Sequence, residues 1–262
     1  MTEIGIGPAK TLSLRVSVAA LVSVLFDHPQ NGRTMLALEH IATLREREGR
    51  PEIIVRAKAL GGGVRLTDPP ALAEMIGGFH YDSELSRREK DFRLLINPSS
   101  WESVKNVCRA QLKKPQKIIL ETSPLRELSE EFADTLQVKV TSDKFLLKTR
   151  GMTVREQPLA THNPRAAGFP TVRIYYLFEA RMQDPDLIDM MLAGSRRYTV
   201  ERLRELARQD ARQGGKGRAN AILTLDLDEL KKFYRSLPVN QYDTPQQFGD
   251  YQLDGNVQAI IS

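Results

Sequence analysis

The segment Leu125-Arg126-Glu127-Leu128-Ser129-Glu130-Glu131-Phe132 concentrates the residue types that do chemistry. Ser123 and Pro124 precede it as a cap and a first helical position, which predicts a helix running to about Leu136. At roughly 100° per residue, Leu125, Leu128, Phe132 and Leu136 form one narrow apolar stripe. On the same wheel Glu130, Glu127 and Glu131 fall at about 140°, 200° and 240° from Leu125. The three carboxylates are therefore expected to share a face away from the core. Like charges at this spacing cost about 0.2–0.5 kcal/mol per pair. A divalent cation reverses that sign, because Mg²⁺ takes carboxylate oxygens and keeps several waters. The other reading is a solvated acidic face, helped by acids near a helix N-terminus.

The elements that must position this helix are readable in outline. Leu12 to Phe26 is β-branched and apolar, Asp27 to Gly32 is a cluster of turn formers, and Arg33 to Glu39 is a second apolar run. Together they predict a hairpin. Ile41 to Arg50 reads as a charged excursion, and Pro51 to Leu60 as a strand running into Gly61-Gly62-Gly63. Residues 67–117 change texture and predict a helical insertion, with helices over Ala71–Ile76 and Trp101–Leu112, the latter capped by Ser99 or Ser100. Gln137–Lys148 and Thr171–Met182 alternate as strands do, around a loop at Thr149–Pro170 with five glycines and prolines. Residues 184–218 predict a second helical, basic insertion. Ile222–Leu227 predicts a strand, Asp228–Leu237 a helix, and residues 238–262 a polar, peripheral tail. This order does not alternate strand and helix as a doubly wound fold does. It is an α+β pattern, with helices on a mixed sheet in one domain spanning 1–262.

Arg126, Glu127, Leu128, Glu130 and Glu131 match the R-E-U-x-E-E core of the Nudix box, where U is apolar. With Gly61-Gly62-Gly63-Val64 closing a strand upstream, the chain resembles the Nudix hydrolase family in pieces over about residues 12–237. The match is not continuous. Between Gly63 and Ile118 lie 54 residues, where the family has a handful. Glu121, which resembles the first box glutamate, stands about one helical turn too close to Arg126. Ala133 replaces the family's glycine, Asp134 its following apolar residue, and Arg65 follows the glycines where an acid is common.

The resemblance implies an α/β/α sandwich with two helical insertions. It implies Mg²⁺-dependent or Mn²⁺-dependent hydrolysis of a nucleoside diphosphate linked to another group. Glu127, Glu130 and Glu131 would hold the metal with a backbone group of Gly62 or Gly63, and Arg126 would orient the helix by pairing with a glutamate or phosphate. Glu156 or Glu179 would supply any further carboxylate. Arg65, Arg196 and Arg197, with Arg202, would contact substrate phosphates. The resemblance equally allows a catalytically inactive module that binds a nucleotide or assembles with a protein.

Composition sets the limits. The chain has 262 residues, 41% apolar and 27% charged, which excludes collagen-like, mucin-like and wholly disordered proteins. Val16–Phe26, the longest apolar stretch, is short of the roughly 20 residues that cross a bilayer, and Met1–Lys10 lacks the pattern of a secretory leader. The expected partner is a nucleotide-type small molecule in a cytoplasmic protein, without a membrane, and a homo-oligomer is compatible. Cys108 is alone and reads as a small buried hydrophobe. His28, His40, His80 and His162 are scattered and read as loop or surface residues. Ser195–Arg218 holds eight Lys/Arg against three Asp/Glu, an excess of five that equals the net charge of the chain. It reads as a solvated helix face or as an anion contact beside the acidic helix. Only Tyr198 interrupts it, so stacking of nucleic-acid bases has little support. Trp101, Phe79 and Tyr81 read as insertion core.

Overall fold

The computed structural model describes residues 13–47, 49–113, 119–159, 169–241 and 244–261. In chain order the first elements are β1 (Leu14–Asp27), β2 (Thr34–Arg47), β3 (Arg50–Lys58), β4 (Leu60–Gly63) and β5 (Arg65–Leu66). They are followed by α1 (Pro69–Ile76), β6 (His80–Tyr81), α2 (Glu84–Glu89), β7 (Arg93–Ile96), α3 (Trp101–Lys113), β8 (Leu120–Glu121) and α4 (Pro124–Leu136). The rest are β9 (Phe145–Leu159), β10 (Thr171–Met182), α5 (Pro185–Arg197), α6 (Val200–Arg212), β11 (Arg218–Asp226), α7 (Leu227–Ser236), β12 (Gln246–Phe248), β13 (Tyr251–Leu253) and α8 (Asn256–Ile261). Eight helices and a large mixed sheet among the described residues make this an α+β architecture. None of the described helices is long and apolar enough to cross a membrane.

The chain divides into two compact units, each built from three segments. Unit 1 comprises Met1–Ala20, Gly62–Ser123 and Arg150–Leu177; unit 2 comprises Leu21–Gly61, Pro124–Thr149 and Phe178–Ser262.

In unit 1 the expected helical insertion also contributes strands. β7 pairs antiparallel with β1 (Val16 opposite Leu94) and with β6 (His80 opposite Leu95). The ends of the insertion meet: Arg65 lies opposite Glu121 and Leu66 opposite Leu120, while the Thr67 N–H donates to the Ile119 carbonyl at 2.9 Å. Ile118 lies outside the described residues. A buried pair, Arg15 to Asp82 at 2.6 Å, ties β1 to the segment before α2. Asn97 rather than Ser99 or Ser100 accepts the capping hydrogen bond ahead of α3, from the Ser99 N–H. Cys108 is fully buried, and its carbonyl accepts the Tyr176 hydroxyl at 2.9 Å. Burial pushes its thiol up to about 12. The Phe79 and Tyr81 rings pack edge to face at 5.5 Å, as core residues do.

In unit 2 the predicted hairpin is present, with Val24 opposite Ala37 and Asp27 opposite Thr34. The charged excursion expected at Ile41–Arg50 is instead the body of a second hairpin. β2 continues to Arg47 and returns as β3, with Thr43 opposite Ile54 and Arg45 opposite Glu52. Its charges sit toward the hairpin end, where strands stay wet. β11 flanks β2 on its other side, from Arg218 opposite Thr43 to Asp226 opposite Met35. The helical part of the segment 184–218 is two helices, α5 and α6. Thr199 breaks it, because its side chain caps α6 by accepting the Arg202 N–H. α6 lays Val200, Leu203 and Ala207 on Ala42, Val55 and Ala221. The β11 edge is partly closed by α5, where the Ser195 hydroxyl accepts the Thr224 N–H at 3.0 Å. β9 starts at Phe145 and runs through Gly151 into the segment expected as a loop.

The polar tail is not peripheral. Leu253, Val257, Ile260 and Ile261 are buried, the Asp254 N–H donates to the Ala57 carbonyl, and the Ser23 hydroxyl donates to the Ile260 carbonyl at 2.7 Å. A short apolar run, Val257 to Ile261, hides behind a long polar stretch.

Candidate functional site

Side chains alternate across a strand, so Glu39 and His40 leave β2 on opposite faces. On the Glu39 face, β3 places Lys58 directly opposite in register. Glu39 is the one charge in the apolar run Met35–Ala42 of β2, and its side chain is 0% exposed. A charge there must be paired, and Lys58 Nζ meets Glu39 Oε2 in a close ion pair. α4 covers this pair. It buries Leu128 and Phe132 and brings Glu131 Oε1 to 3.7 Å from Lys58 Nζ. From β11, Arg218 reaches Glu39 Oε1 at 3.5 Å and Asn220 Oδ1 at 3.0 Å. Glu39, Lys58, Glu131 and Arg218 thus form one network on four elements of unit 2.

The electrostatics follow from burial. Glu131 is 14% exposed at its side chain. Desolvation pushes its carboxyl up to about 8, and the negative charge of Glu39 and a hydrogen bond to it push the same way. Burial likewise works against the Lys58 ammonium, but Glu39 and Glu131 outweigh it and leave the group above its ordinary range. On the opposite face His40 is 1% exposed, not the surface residue expected. Burial pushes it down to about 4, so the ring is neutral at physiological pH. It hydrogen-bonds the Tyr198 backbone, while Nδ1 has no partner among the described residues.

The three α4 carboxylates do not share a cleft. Glu127 is buried in an ion pair with Arg126. Glu130 is 55% exposed and takes Arg126 Nη1 at 3.2 Å on the outer side of the helix. Glu131 joins the Lys58 network. Among the described residues no group of three or more His, Cys, Asp or Glu is arranged to hold a metal ion. The expected Mg²⁺ or Mn²⁺ ligands therefore do not fit a common ion, since each carboxylate already faces a protein cation.

The other expected site residues lie elsewhere. Gly62 and Arg65 belong to unit 1, where Arg65 bridges to Asp91, and Gly63 beside them leaves no room for a side chain against Asp91. Glu156 is also in unit 1 and pairs with Lys105 at 2.5 Å. Arg196 and Arg197 are exposed at the end of α5, with Arg197 over the Tyr198 ring at 5.4 Å. Along α6, Arg202 pairs with Glu205 at 2.7 Å and Arg204 with Glu201 at 4.0 Å, as a solvated face does. Only Arg218, at the end of the basic segment, reaches the acidic network.

Arg218 also lines an open recess of about 390 Å³ with Lys216, Asn220, Ala219, Asp134 and Asp210. Its rim is the turn Gly214-Gly215-Lys216-Gly217, folded over Asp210. The Arg218 N–H donates to Asp210 Oδ2 at 3.1 Å, and the Gly215 N–H to the Asp210 carbonyl at 2.8 Å. Gly217 has φ +64°, and a Cβ there would stand 2.5 Å from Leu44 Cβ. Glu39 and Lys58 are not among the site residues expected from the sequence. Glu39 stands as the one charge in the apolar run Met35–Ala42, whereas Lys58 follows Glu52 and Arg56 in β3 and carries no distinct signal. Comparison with protein-family models, characterised proteins and solved structures returned no match.

Proposed function

We propose that unit 2 is a Nudix-like module that binds a phosphate-bearing, nucleotide-type small molecule without metal-dependent turnover on α4. The observation that carries this reading is the internal pairing of the α4 carboxylates: Arg126 holds Glu127 and Glu130, and Lys58 holds Glu131. The recess supports a ligand of mixed chemistry. Lys216 and Arg218 suit phosphate oxygens, and Asn220 and Asp134 suit hydroxyl or base edges. In this reading the sheet between α4 and α6 is the Nudix-like sandwich, and residues 67–117 and 184–218 are its insertions.

The test is a calorimetric binding series over nucleotide sugars, dinucleotide cofactors, diadenosine polyphosphates and nucleoside triphosphates, with product analysis on each. Binding without turnover is expected. It should weaken about tenfold or more in Lys216→Ala and Arg218→Ala, and it should fall with salt. The hydrolase reading has one observation of its own: Glu131, at about 8, is poised as a general acid or base near neutral pH. Mg²⁺-dependent cleavage that Glu131→Gln abolishes would establish it and overturn the binding-only reading.

A further inference from the structure

We infer that the open face of the unit 1 sheet is a phosphate-binding site, with Arg93 and Arg173 flanking the Ser17 hydroxyl. All three residues belong to unit 1, and the site stands whatever the recess of unit 2 binds.

Strand alternation builds it. β1 turns Val16 and Val18 into the core, so Ser17 and Ala19 stand on its other face. Both are only half-buried although β1 is an inner strand, so this face is open to solvent. In register, Ser17 lies opposite Arg93 of β7, and Arg15 opposite Leu95. On the other side of β1 runs β10, set alongside it where the Arg15 N–H donates to the Pro170 carbonyl at 3.0 Å. β10 buries Val172 and Ile174 and leaves Arg173 between them half-exposed. Burial holds the Arg15 guanidinium below its ordinary range, Asp82 opposes this, and Arg93 and Arg173 are close enough to push the same way as burial. Two carboxylates answer the three guanidiniums. Asp82 takes Arg15 at 2.6 Å and Asp91 takes Arg93 at 3.2 Å. Arg173 has no ion pair, and the Ser17 hydroxyl no hydrogen-bond partner, among the described residues. An anion on this face cancels the excess positive charge. A guanidinium has several N–H donors, so Arg93 can hold Asp91 and a ligand together. A phosphate group offers three acceptor oxygens, enough for two guanidinium forks and a hydroxyl, which a carboxylate cannot serve at once.

The experiment is calorimetric titration of the full chain carrying Lys216→Ala and Arg218→Ala, which removes the cations of the unit 2 recess, with inorganic phosphate and with glycerol phosphate. Phosphate binding should persist in this background and weaken about tenfold or more on adding Arg173→Gln. Arg173→Lys keeps the charge and loses the fork, so it should weaken binding by a smaller factor, about threefold. Tighter binding of glycerol phosphate than of the free ion identifies the group as part of a larger molecule, and the reverse identifies a free ion; either supports the site. Absence of phosphate binding in this background overturns the inference, and so does an Arg173→Gln protein that binds phosphate within about twofold of it. Should Arg173→Gln not fold, Ser17→Ala, which touches no ion pair, reads the same site. About threefold weaker phosphate binding is then expected, and unchanged affinity overturns the inference.

Discussion

His40 and Glu131 are both kept out of their charged forms by burial, on opposite faces of one sheet, and their effects on stability oppose each other. His40 titrates near 4 when folded and 6.5 when exposed, so between these values the unfolded chain binds more protons. Stability contributed by neutral His40 is complete above pH 6.5 and is lost as pH falls toward 4. Glu131 titrates near 8 when folded and 4.5 when exposed, so there the folded chain binds more protons. Stability must therefore fall as pH rises from 4.5 to 8. The two slopes offset each other between 4.5 and 6.5, and only the Glu131 slope remains from 6.5 to 8. Urea titrations at pH 5, 6.5, 8 and 9 should show stability declining from 6.5 to 8 and flat above. Glu131→Gln should remove that decline, and His40→Leu should remove the loss on the acid side. Glu130 offers the contrast on the same helix. It is exposed, so Glu130→Ala should stay within about 0.5 kcal/mol of wild type in the same titrations.

Elements were more legible than their surroundings. α4 was visible because Ser123-Pro124 and the stripe Leu128–Phe132 agree on start, period and buried face. The grouping of its three acids was not correct, and the helical wheel holds the reason. Glu131, at about 240°, borders the apolar stripe and follows it inward, whereas Glu130, at about 140°, points away from it. What faces Glu131 comes from β2 and β3, far away in sequence. The hairpin β2–β3 was hidden because Arg45, Glu46 and Arg47 mimic a loop, and α8 because four apolar residues, interrupted by Gln258, follow a long polar stretch. The glycine turn before β11 has a specific geometry. Gly217→Ala forces a side chain into both a left-handed backbone and the Leu44 side chain. It should cost about 1–3 kcal/mol in chemical denaturation and weaken binding at the Lys216–Arg218 rim.

At the scale of the whole molecule, neither unit is a continuous stretch of chain. β1, β9 and β10 each begin in one unit and end in the other. The β2–β11 ladder joins strands far apart in sequence, and non-local pairing of this kind belongs to the slower folding range of ms to s. The network around Glu39 shows the extreme case, with Arg218 lying 179 residues further along the chain.

That separation has a meaning for the chain while it is being made. At about 5–20 residues per second, roughly 10–35 s pass between the emergence of Glu39 and that of Arg218 on the strand that will cover β2. During that interval the run Met35 to Ala42, seven uncharged residues around one glutamate, has an open edge on a nascent chain. Such segments pair with copies of themselves on neighbouring ribosomes unless a charge interrupts them. Glu39 is that charge, so the residue that is costly to bury at the end of folding protects the strand at its beginning. Glu39→Gln and Glu39→Leu both remove the ion pair with Lys58, but only leucine completes an apolar strand. Pulse-labelled expression should show leucine giving a smaller soluble fraction than glutamine, even though the two variants lose the same native contact.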